Sequence, residues 1–158
     1  MLDEKTISFK DMKGRNWTFR VTVDVAMRLR DEAEFDIEKI IGNDSEALRL
    51  LIDDRWKLIQ LIEIGTDEQR ERLDISRKDF LSSLDGDAII AARKAFLYGV
   101  AVCLGELKRR ALESLIPELD KGLLRMSEKI AEKIESMSPE IQAEIERVGT
   151  EIVSASGV

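Results

Sequence analysis

The sequence predicts a mainly α fold with a minor β component. It describes a helical domain whose N-terminal β-hairpin packs on a long central helix, followed by a C-terminal amphipathic helical arm. Three observations predict it. From Asp87 to Leu115 no proline interrupts a run in which Ile89, Ala92, Phe96, Val100, Cys103, Leu107 and Ala111 recur at three- and four-residue steps, the spacing of one helix face. From Ile7 to Val23 apolar and polar residues alternate instead, the period of a strand pair. The composition is 36% charged with two prolines and nine glycines, which suits helices with solvated faces better than a β-sandwich. At 158 residues one domain is expected, residues 1–117, with an appendage over residues 118–158.

In the hairpin, Ile7 and Phe9 lead into Asp11-Met12-Lys13-Gly14, and Trp17, Phe19, Val21 and Val23 return on one face. Gly14 is the expected positive-φ position. A lone two-stranded hairpin is marginal in water, so its Trp17/Phe19 face must lie on the helices. Its edges are then expected to remain open to pair with another chain, the hairpin being either a lid on the core or a site of strand addition between subunits.

Thr22 or Asp24 can cap a helix whose stripe is Val25, Ala26, Leu29 and Ala33. A break near Glu34 and Phe35 precedes a short turn, Asp36 to Ile41, closed by Gly42-Asn43. Ser45 then caps a segment bearing Leu48, Leu51 and Ile52. Trp56, Ile59, Leu61, Ile62 and Ile64 form a strongly apolar helix expected to end at Gly65, with Thr66 capping the next segment. Asp67 to Leu73 reads as a short polar connection. Ser76, with Asp79 three residues on, is a near variant of the capping box leading into Phe80, Leu81 and Leu84. Asp85 or Asp87 caps the central helix, Ala95 and Val102 are expected to enclose its middle from the other side, and Pro117 is expected to end it.

Residues 118–158 carry nine acids and five bases. Leu119, Leu123 and Met126, then Ile130, Ile134 and Met137, then Ile141, Ile145 and Val148 repeat with an 11-residue period. Such a stripe stays nearly straight along a helix. Pro139, with Ser138 as a cap, predicts a kink or restart within it. The arm either folds back on the core or offers its stripe to another helix. In the second case Ile130, Ile134, Met137, Ile141, Ile145 and Val148 are the candidate partner-binding residues.

Reaction chemistry is sparse. The chain has no histidine and one cysteine, Cys103, which reads as a buried packing residue. No thiolate–imidazole zinc site can be assembled, and neither a P-loop nor a GxGxxG motif occurs. Asp53-Asp54 and Asp85-Gly86-Asp87 sit where helix N-termini favour negative charge. No catalytic, cofactor-binding or metal residue is therefore nominated, and no enzyme is expected. Lys108-Arg109-Arg110 is placed near the C-terminus of the central helix, where cations suit the macrodipole, and is read as structural or, alternatively, as a docking patch. A formal net charge of −7 argues against non-specific nucleic-acid binding. The apolar run of the central helix is about half the roughly 20 residues of a membrane span. The N-terminal MLDEKTISF is charged, with no apolar signal core, so a cytoplasmic protein is expected.

Three stretches carry a resemblance: FKDMKGRNWTFRVTV at Phe9 to Val23, DIEKII at Asp36 to Ile41, and SRKDFLSSLDGDAI at Ser76 to Ile89. In pattern and order they resemble tail assembly chaperones of long-tailed bacteriophages and related prophage tail-like elements, over roughly two-thirds of the chain. The resemblance implies a non-enzymatic protein of the bacterial host cytoplasm that binds the helical tape-measure protein during tail assembly and is absent from the finished particle. Family members often make a longer product by ribosomal frameshifting. The arm departs from the matched pattern. Self-association through the hairpin edge or the arm fits the same reading. The alternative is a small helical regulatory or nucleic-acid-associated protein, suggested by the tight helix pair from Ser76 to Leu115; against it, the second helix opens with Asp87, Ile89 and Ile90, not with base-reading side chains.

Overall fold

A computed structural model describes residues 3–42 and 46–136, without the side chains of 123–131 and 133–135. Among these residues the fold is mainly helical, with one antiparallel hairpin of β1 (Ser8–Lys10) and β2 (Asn16–Thr18) and six helices. The helices are α1 (Val23–Ala33), α2 (Glu46–Asp53), α3 (Arg55–Arg72), α4 (Arg77–Ser82), α5 (Gly86–Cys103) and α6 (Glu106–Glu135). A 3-10 turn, Ile37–Lys39, lies between α1 and α2. The chain divides into two units, one ending at Ile116 and the other beginning at Pro117.

The hairpin register pairs Phe9 with Trp17, and Gly14 turns the chain at φ 77°. An amide beyond the strands extends the ladder, Phe19 N–H donating to the Ile7 carbonyl at 2.8 Å. Alternation then does what it should: Ile7, Phe9, Trp17, Phe19 and Val21 are all buried. Val23, expected on the same face, is exposed because α1 begins there and the period changes from two to 3.6.

Caps set most of the helix starts. Thr22 Oγ1 accepts from the Val25 amide, Asp54 from Lys57, Ser76 from Asp79 and Asp85 from Ala88, at 2.8–3.3 Å. Each satisfies an amide that the first helical turn leaves without a partner. The expected cap Ser45 lies outside the described residues. The α1 stripe buries Leu29 and Ala33, and Glu34 ends the helix in the left-handed region at φ 52°.

Four expectations about helix limits are corrected. Helix α3 does not stop at Gly65; it continues to Arg72, and the stretch expected as a polar connection is its C-terminal part. Thr66 is not a cap: its buried hydroxyl donates to the Ile62 carbonyl one turn back, at 2.7 Å. The central helix is two helices. At Leu104 the backbone turns extended (ψ 157°), the Leu104 side chain is drawn into the core, and α6 restarts after Gly105. Pro117 lies inside α6 instead of ending the helix before it. Its missing amide and ring clash typically cost about 3 kcal/mol in a helix interior, while Leu112 and Ile116 are fully buried on the preceding turns.

The restart changes the phase of the apolar stripe. Ile89, Ala92, Phe96 and Val100 are buried as expected, but Leu107 is 85% exposed, and Leu112 and Ile116 take the inner positions. Ala111 is exposed, Cys103 is half-buried and Val102 faces outward. Trp56, expected within the apolar helix face, is 57% exposed, because Leu58, Leu61 and Ile62 form the inner face of α3.

All five phenylalanines are buried. Phe9 stacks on Phe19, Phe19 meets Phe96 edge to face, and Phe96 meets Phe35, with ring centroids 5.4, 5.5 and 6.0 Å apart. Phe19 is wedged between two helix glycines. A Cβ on Gly65 of α3 would stand 2.8 Å from the Phe19 ring, and one on Gly99 of α5 would stand 2.8 Å from the Phe19 carbonyl oxygen. Both glycines are therefore contact positions inside helices, not punctuation.

Candidate functional site

The residues nominated for partner binding fall beyond what can be described at side-chain level. Ile130 and Ile134 belong to the α6 backbone, their side chains lying outside the described set. Met137, Ile141, Ile145 and Val148, with the expected kink at Pro139, lie outside the described residues altogether. The described residues supply instead the geometry of the hairpin, its edges, and the charged and open surfaces around it.

Asp11 organises the hairpin tip. Its Oδ1 accepts from the Lys13 and Arg15 amides at 2.9 and 3.0 Å; its Oδ2 accepts from Arg15 Nε at 2.8 Å and Trp17 Nε1 at 2.9 Å, and from Ser83 Oγ at 3.2 Å, whose proton is shared with the nearer Phe80 carbonyl at 2.6 Å. Burial alone would raise its pKa. The donors from Trp17, Arg15 and Lys13 outweigh burial and hold the carboxyl at about 2, against an ordinary 3.8. Arg15 reaches on to Asp79 of α4 at 3.1 Å, and Lys13 bonds the same carboxylate. Those two cations keep Asp79 below the usual carboxylate range. The Met12 amide donates to the Ser83 carbonyl at 2.8 Å, and the Trp17 and Phe80 rings meet at 4.7 Å. A carboxylate that is ionised at neutral pH and held by these donors orders a turn and docks it on α4.

This cluster is only partly legible in one dimension. Asp11 reads there as a turn residue, although the spacing of Asp11, Arg15 and Trp17 around Gly14 is a usable signal: a hairpin tip brings an acid, a guanidinium and an indole N–H within reach of one another. The remaining participants, Asp79 and Ser83, lie over sixty residues away and leave no local sign.

Both hairpin edges carry partners: on the β1 side the Ser8 amide donates to the Lys5 carbonyl at 3.3 Å. The Gln69 side chain of α3 accepts from the Thr18 amide at 3.0 Å and donates to the Asn16 carbonyl at 2.9 Å. It fills the two outward positions of β2 as a neighbouring strand would. The expectation of open edges is thus corrected for β2, whose edge is closed by a side-chain amide.

Lys108-Arg109-Arg110 is also relocated. With the helix restarting at Glu106, the cluster lies near a helix N-terminus, where the macrodipole disfavours cations. Ion pairs compensate: Lys108 Nζ bonds the Glu38 carbonyl and carboxylate at 2.9 Å each, and Arg110 pairs with Glu106 at 2.7 Å. Of the acidic clusters, Asp54 and Asp85 are helix caps. Among the described residues no three His, Cys, Asp or Glu side chains converge as a metal site. Burial, then the nearby Glu38 charge, push the Cys103 thiol upward, away from the reactive thiolate.

Two open surfaces accompany these features. A cleft of about 290 Å³ lies along β2 and α3, where Arg20 pairs with Glu4 and Arg28 forms a two-pronged pair with Asp67 at 3.0 and 2.5 Å. A groove of about 560 Å³ runs between the turn after α1 and helix α2, lined by Glu34, Asp36, Glu38 and Glu46 with Ile41 and Leu50 among its apolar residues. Helix α2 fully buries only Leu51; Leu48, Leu50 and Ile52 are not fully enclosed. Among the described residues no helix is long and apolar enough to cross a membrane. No family model, curated protein or solved structure matches this chain.

Proposed function

We propose that this protein is a non-enzymatic phage tail assembly chaperone, acting in the bacterial cytoplasm on the helical tape-measure protein. The observation that carries the reading is the resemblance of residues 9–23, 36–41 and 76–89 to that family. Two of those stretches, the hairpin and α4, meet in the cluster around Asp11, Trp17, Phe80 and Ser83. The resemblance therefore coincides with residues that build the fold. The 11-residue apolar repeat of residues 119–148 would, on a helix, give a surface suited to a helical partner. Self-association through the hairpin edge or the arm belongs to the same proposal.

The test is co-expression of the tagged full chain with a candidate tape-measure protein, a very long helical chain. Co-purification that Ile134→Asp weakens, while the melting temperature holds, supports the proposal. A well-folded chain that retains none of that protein overturns it. The nucleic-acid alternative gains no support from α5, whose first residues, Gly86 to Ala92, include no cation.

A further inference from the structure

We draw no further inference here: the strongest candidate, the acid-rimmed groove between the turn after α1 and helix α2, carries nothing because no feature of the structure shows what covers its partly exposed aliphatic side chains.

Discussion

The hairpin is held at its two ends by opposite physics. At the Phe19 end the contact is apolar and depends on shape: an aromatic side chain enclosed by Gly65, Gly99 and two further rings. At the Asp11 end it is polar and depends on charge: one buried carboxylate gathers donors from the turn, from Trp17 and from Ser83. The first should be indifferent to pH and intolerant of added volume. The second should tolerate little loss of charge and respond to acid. A hairpin too small to be stable alone is thereby tied to α3 and α5 at one end and to α4 at the other.

The largest effect is expected from emptying the shape-dependent end. Phe19→Ala should cost about 3–5 kcal/mol in urea unfolding, the usual range for a buried ring. The glycines sharpen the reading. Gly99→Ala should cost about 1–3 kcal/mol whether or not Phe19 keeps its ring, because the atom it meets is a backbone oxygen. Gly65→Ala meets ring carbons, so its cost should vanish in the Phe19→Ala background, where helix propensity even favours alanine by up to about 1 kcal/mol. Equal, additive costs at both glycines would break the description of Phe19 as the shared contact.

Next comes the charged end. A carboxyl whose pKa falls from 3.8 to about 2 on folding contributes roughly 2–2.5 kcal/mol above pH 4. The sign follows from the depressed folded-state value: the stabilisation is present at neutral pH and is lost as pH falls through 4 towards 2. Asp11→Asn should therefore lower stability at pH 7 by about that amount, and the gap to the parent protein should close between pH 4 and 2. Urea midpoints measured across that range would show it. A gap that stays constant with pH would mean that Asp11 acts through packing alone.

Smaller effects test the periphery of the same comparison. Gln69→Ala removes two hydrogen bonds from the β2 edge and should cost about 1–2 kcal/mol. It should also speed hydrogen exchange at the Thr18 amide relative to the parent protein; unchanged exchange there would contradict the edge-closing role. The smallest effect is expected at the other tryptophan. Trp56→Ala, at an exposed position, should change stability by less than about 0.5 kcal/mol. Its emission should lie to the red of that of Trp17, which single-tryptophan variants would separate.

Legibility in the sequence varies with the range of the physics involved. The caps at Thr22, Ser76 and Asp85 are visible because capping is decided within four residues. The hairpin is visible because its alternation and Gly14 turn are local. Gly65 and Gly99 are not, because a glycine at a helix end and one under an aromatic ring look identical in one dimension. The break at residues 104–105 is hidden for a related reason. Apolar spacing continues across it, but burial of Leu104, Leu112 and Ile116 outweighs that continuity and shifts the inner face.

By itself, then, the sequence determined the class of fold, the hairpin and its buried face, most helix starts, and the absence of histidine or paired cysteines. These depend on periodicity, on capping chemistry and on residue inventory, all properties of the chain and its near neighbours. Only the tertiary structure decided where α3 and the central helix really stop, which glycines are contact points, and that Asp11 and Gln69 fasten the hairpin. Those outcomes depend on groups far apart along the chain, as in the bonds from Gln69 to Thr18 and from Ser83 to Asp11. Close packing and buried hydrogen bonds outweigh the fraction of a kcal/mol by which local preference distinguishes one helix boundary from the next.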